Sequence, residues 1–91
     1  MDLEDVMSSR GRARIIKVLA FEGEVNISKL VKSTGLSYPT VCSHLAKLKE
    51  IGLVDEVSYG RVRIFRIRDR ELATLIRQVI TKLEKITSSE T

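Results

Sequence analysis

Residues 35–54, GLSYPTVCSHLAKLKEIGLV, constrain the fold more than any other stretch of the chain. Gly35 can take the positive φ that ends one helix, and Ser37 can cap the next. An amphipathic run then extends to about Ile51 and stops at Gly52. Pro39 does not break it, because in a first turn the missing N–H would have been unpaired anyway. At about 100° per residue, Val41, Leu45 and Leu48 fall within roughly 60° of one another and must face a core. The other side presents Pro39, Thr40, Ser43, Lys47 and Glu50, with Tyr38 at the N-terminus and His44 on a flank. Such a face is small and polar at its start and cationic in the middle. It permits close approach to a groove and hydrogen bonds to base edges or phosphates. Any solvated surface helix has a polar outer face, so the surroundings have to decide what this one is for.

Upstream, SSRGRARIIKVLAFEG (residues 8–23) places Ile15, Val18 and Leu19 at i, i+3 and i+4 with Ile16 alongside. That predicts an amphipathic helix, capped by Ser8 or Ser9 and stopped by Gly23, with Gly11 weakening its first turn. Asn26 can cap a short second helix carrying Ile27, Leu30 and Val31 on one face. Downstream, LVDEVSYGRVRIFRI reads as a β-hairpin around Ser58–Arg61. Ile64 and Phe65 are adjacent, so alternation fails midway. The expectation is a solvated tip at residues 61–63 and a bulge or strong twist that returns residues 64–67 to the core. A last helix from Asp69 to about Ile86 spaces Leu72, Ile76, Val79, Leu83 and Ile86 by 4, 3, 4 and 3, widened by Leu75 and Ile80. The fold class expected is α+β, mainly α. Residues 1–68 make a winged helix-turn-helix of three helices and a two-stranded wing. Residues 69–87 make an amphipathic C-terminal helix, and 88–91 a flexible tail.

Charge sharpens the functional reading. The net charge of +4 favours a polyanionic partner. Arg61, Arg63, Arg66, Arg68 and Arg70 fall within ten residues, opposed only by Asp69. Lysine and glutamate would protect a sheet edge equally well, so the all-arginine choice favours phosphates or a minor groove. Arg10, Arg12, Arg14 and Lys17 extend the positive charge onto the first helix. With aromatics at 4% and no Trp, the core is aliphatic and a base-stacking platform for single-stranded RNA is lacking.

Other classes fit poorly. There is no Ser-His-Asp set, phosphate-cradling glycine loop or metal cluster, and Ser43 and His44 point about 100° apart on a helix, so no catalytic residues or cofactors are expected. The lone Cys42 excludes an intramolecular disulfide and fits a reducing, cytoplasmic compartment. No apolar run approaches the ~18 residues of a membrane span, and the acidic start MDLEDVMSSR is unlike a signal peptide.

Residues 8–67 resemble the winged-helix DNA-binding domain of ArsR-type transcription regulators, chiefly in GLSYPTVCSHLAKLKEIGLV and in the glycine-arginine wing followed by Phe65 and Ile67. The resemblance implies that residues 37–47 enter the major groove N-terminus first, with Ser37, Tyr38, Thr40, Ser43 and His44 nearest DNA and Lys47 on a phosphate. It also implies a two-fold dimer with recognition helices roughly 34 Å apart. Many members of that family sense metals through cysteine pairs or His and carboxylate clusters. Here Cys42 and His44 lie about 200° apart around one helix and cannot share a metal within a subunit, so no metal is expected. Cys42 could at most act as a thiol switch.

The apolar stripe of Leu72, Leu75, Ile76, Val79, Ile80, Leu83 and Ile86 is wider than a winged helix of this size covers, which points to pairing with a second copy, joined there by Leu3, Val6 and Met7. The leading function is a homodimeric, sequence-specific binder of double-stranded DNA, a repressor occupying an operator, with Pro39, Arg61, Arg63 and Arg66 added to the contact surface. The alternatives are a winged helix serving protein interaction or general transcription, and a nucleoid-type binder with little sequence preference.

Overall fold

Each helix begins where a side chain can satisfy its first free N–H groups. The computed structural model of the chain describes residues 2–89, ordered α1 (Leu3–Met7), α2 (Arg10–Glu22), β1 (Val25–Asn26), α3 (Ile27–Thr34), α4 (Tyr38–Glu50), β2 (Val54–Tyr59), β3 (Val62–Ile67) and α5 (Arg70–Ser89). Ser9 caps α2, Asn26 caps α3 and Ser37 caps α4, each accepting from a backbone N–H three residues on. Asp69 does the same for α5, accepting from the Leu72 N–H at 3.1 Å. Gly35 closes α3 in the left-handed region at φ 73°, where a side chain would be strained. Thr34 shapes the same corner from within: buried, its hydroxyl donates to the Leu30 carbonyl and accepts from the Leu36 N–H.

The core is one cluster: Ile15 and Leu19 from α2, Val25 from β1, Leu30 from α3, Val41, Leu45 and Leu48 from α4, Val54 from β2, and Phe65 and Ile67 from β3. The face of α4 expected to be inward is therefore inward. The sheet has three strands in the order β1-β3-β2, all antiparallel. The two-stranded wing expected from the sequence gains β1, whose Val25 and Asn26 pair with Phe65 and Ile64.

Three further expectations are corrected. The β2–β3 ladder is unbroken from Val54↔Ile67 to Tyr59↔Val62, so there is no bulge. Alternation holds throughout β3, with Phe65 and Ile67 on the core face; Ile64 faces outward, half-buried beside its cross-strand neighbour Val57. An apolar residue on the outer face mimicked a break in period. Second, Asp2 and Asp5 form a reciprocal capping box that starts a five-residue helix where none was expected. Third, α5 continues through Ser88 and Ser89 instead of giving way to a tail at residue 88; the rest of that tail lies outside the described residues.

α5 packs on α2 and β3. Ala73 packs against the core, and Ile76 and Ile80 are half-buried on the same side of the helix. Glu84, one turn further, forms an ion pair with Lys17 of α2. Leu72, Leu75, Val79, Leu83 and Ile86 lie on the other side and are 36–60% exposed. The single wide stripe read from the sequence is thus two adjoining stripes with different destinations.

Candidate nucleic-acid interface

Capping and core packing together decide what α4 presents. Ser37 holds the helix start, accepting from the Thr40 N–H at 3.3 Å while its hydroxyl donates to the Thr40 hydroxyl at 2.8 Å. With Val41, Leu45 and Leu48 fixed inward, Ser37, Tyr38, Pro39, Thr40, Ser43 and Lys47 are all left exposed. Lys47 has no ion pair among the described residues, so its ammonium is available to a phosphate.

His44 faces differently from its expected neighbours. It is half-buried against the start of α2, where its Nδ1 accepts from Arg12 Nε at 3.2 Å. A methyl group built on Gly11 would lie only 2.9 Å from its Nε2. Burial, then the charges of Arg12 and Lys47, push the imidazole below its ordinary value of 6.5, so it stands neutral as an acceptor. Arg12 also donates to the Asp5 carbonyl of α1. One guanidinium therefore ties α1 and α2 to α4, a role that charge counting along α2 could not reveal.

The wing arginines divide by strand parity. Arg61 sits at the turn, exposed and without an ion pair among the described residues. Arg63 shares the core face with Phe65, and its guanidinium carbon lies 5.3 Å from that ring's centroid. It reaches Glu56 twice, through Nε at 2.6 Å and Nη2 at 3.2 Å, while Lys49 of α4 donates to the same carboxylate at 2.7 Å. These hydrogen bonds, Arg63 first and Lys49 second, draw the Glu56 carboxyl from 4.5 down to about 2 against a smaller opposing effect of burial. Glu56 in turn holds Arg63 above its usual range. Arg66 points to the opposite face, 3.9 Å from Glu24, and Arg68 pairs with Asp55 at 3.0 Å. The structure thus brings Arg63 to the α4 side, leaves Arg61 at the turn and sets Arg66 apart.

The profile of the bacterial regulatory protein arsR family matches residues 9–56, which is 48 of the chain's 91 residues. The chain belongs to the ArsR family.

Solved structures agree with the placement. The homodimeric winged helix-turn-helix DNA-binding domain of a possible ArsR-family transcriptional regulator from Mycobacterium bovis is 25% identical, with a TM-score of 0.76 over 93% of this chain and 78% of that one. The transcriptional repressor BigR from Xylella fastidiosa is 25% identical, with a TM-score of 0.73 over 85% of this chain and 78% of that one. AF1382 from Archaeoglobus fulgidus, at 19% identity, shares the fold with a TM-score of 0.72 over 91% and 98% of the two chains. No curated protein sequence matches significantly. In this ArsR-family member α3 and α4 form the helix-turn-helix and β2–β3 the wing. No helix among the described residues is long and apolar enough to cross a membrane.

Proposed function

We propose that this ArsR-family chain works as a homodimer that reads a specific duplex DNA sequence and represses transcription by occupying an operator. The observation that carries this reading is the exposed face of α4, polar over its first two turns, beside a wing whose turn carries an arginine with no ion pair among the described residues. Ser37, Tyr38, Pro39, Thr40 and Ser43 approach the base edges, while Lys47 and Arg61 take phosphates. His44 acts from behind α4, and Arg66 contributes to the long-range field from the other face of the sheet. Pairing uses the exposed α5 residues Leu72, Leu75, Val79, Leu83 and Ile86, joined by the exposed Leu3 and Met7 of α1. Two-fold pairing would set two α4 helices about 34 Å apart, one turn of B-DNA. Support for pairing comes from the homodimeric state of the Mycobacterium bovis domain, and for repression from the Xylella fastidiosa repressor.

The test is a titration of a labelled duplex covering the chain's own promoter region and of an unrelated duplex of equal length, at several salt concentrations. A preference of roughly 10³-fold or more that survives at physiological salt is expected. Equal and steeply salt-sensitive binding to both would favour an architectural binder. Absence of binding even at low salt would turn the search toward a protein partner for α4.

A further inference from the structure

Glu56 occupies an odd place for a carboxylate in a protein that handles DNA. Its side chain is only 14% exposed and sits on the core face of β2, directly across the ladder from Phe65. Three charge-assisted hydrogen bonds converge on it, from Lys49 at the end of the recognition helix and, through two nitrogens, from Arg63 near the wing tip. The Arg63 guanidinium is further fixed by the Phe65 ring beneath it. Lys49 and Arg63 are 43–44% exposed, so both remain within reach of a polyanion while committed to an internal partner. Lys47 and Arg61, by contrast, have no ion pair among the described residues.

We propose that Glu56 is a specificity-determining positioning residue: its carboxylate straps the wing to the end of the recognition helix and withholds Lys49 and Arg63 from DNA phosphates. This rests on the DNA-reading function proposed above. The physical reasoning is a balance between two kinds of contact. Phosphate contacts add affinity for every sequence alike, whereas base contacts discriminate. A cation already hydrogen-bonded to a carboxylate that is only 14% exposed gains little by exchanging it for a hydrated phosphate, because the exchange would strip Glu56 of one of its two cationic partners where little water can replace it. The strap therefore lowers affinity for arbitrary DNA without touching the face of α4 that reads bases. It also fixes the angle between wing and helix, so that both engage one site in one register.

Glu56→Gln, which keeps the shape and removes the charge, tests this with two readouts. On an unrelated duplex the variant should bind more tightly than wild type at low salt. Its salt slope should be steeper by about 0.9 for each phosphate newly engaged, up to about 1.8 per protomer. The preference for the operator should fall accordingly. In the free protein, hydrogen exchange at the amides of residues 57–63 should accelerate while the α4 core turns stay protected. Glu56→Asp, which retains the charge, should recover part of both effects. Unchanged affinity and slope with unchanged wing exchange would overturn the proposal, and so would weaker binding with a shallower slope, because Lys49 and Arg63 would then be phosphate ligands that Glu56 presents. The exchange readout needs no DNA. Faster wing exchange in a protein that binds no duplex would refute the DNA reading while leaving the strap in place.

Discussion

At the residue scale, charges that look alike in the sequence do different jobs. Lys47 is free among the described residues and projects from the outward face of α4. Lys47→Ala should weaken binding to all duplexes alike and lower the salt slope by about 0.9 per protomer; an unchanged slope in the titration would remove Lys47 from the interface. His44 bears on stability instead. Its folded value lies below 6.5, so the unfolded chain takes up a proton first as pH falls. Its contribution is therefore present above pH 6.5 and is lost on acidification below it. Glu56 acts in a lower window, contributing above pH 4.5 and losing that contribution as pH falls toward about 2. The chain has one histidine, so NMR titration of its ring protons reads the first effect directly. A midpoint at or above 6.5 would contradict the packing of His44 against Arg12. Gly11 makes that packing possible. Alanine there should gain up to about 1 kcal/mol of helix propensity, but only in a His44→Ala background where no ring stands in the way. Equal gains in both backgrounds, measured by urea unfolding, would show that the ring is not confined.

At the element scale, caps and corners were the most legible features. Ser9, Asn26 and Ser37 all cap the helices their positions suggested, and Gly35 and Gly60 take positive φ where the chain turns. Such signals are local: one side chain and the backbone three residues away suffice. Ser37→Ala should cost about 1 kcal/mol in unfolding experiments. It should loosen the first turn of α4, seen as faster exchange at the Thr40 amide; a loss of stability without that local change would place the effect elsewhere. β1 was not legible, since two residues carry no periodicity and exist as a strand only because Phe65 and Ile64 of β3 offer a partner. The helix α1 did carry a signal, the Asp2–Asp5 capping box, but it is one turn long and lacks a buried face.

At the scale of the whole molecule, the division of α5 sets where the proposed pairing of copies can be tested. Ala73, Ile76 and Ile80 belong to the chain's own packing, and the more exposed stripe begins at Leu72. Val79→Asp combined with Leu83→Asp should therefore yield a folded monomer by sedimentation with operator binding weakened at least tenfold. Ile76→Asp should instead lower stability, since Ile76 is half-buried on the side of α5 that carries Ala73. A double variant that still sediments as a dimer would move the interface away from α5.

The sequence alone determined the four longer helices, the caps of α2, α3 and α4, the glycine corner, the hairpin and the inward face of α4, because each depends on neighbours within a few residues. It also determined that Ser37, Tyr38, Pro39, Thr40, Ser43 and Lys47 lie outward, since the inward Val41, Leu45 and Leu48 leave that face no alternative. Only the tertiary structure decided which arginines face α4. Arg63 and Arg66 are three positions apart, and strand parity sends them to opposite faces; Glu56 and Phe65 then determine what Arg63 can touch. It alone brought Arg12 to His44, 32 positions apart in the chain, and divided one apolar stripe between an internal neighbour and an open surface. Those outcomes depend on contacts between distant segments, whose energies no local spacing encodes.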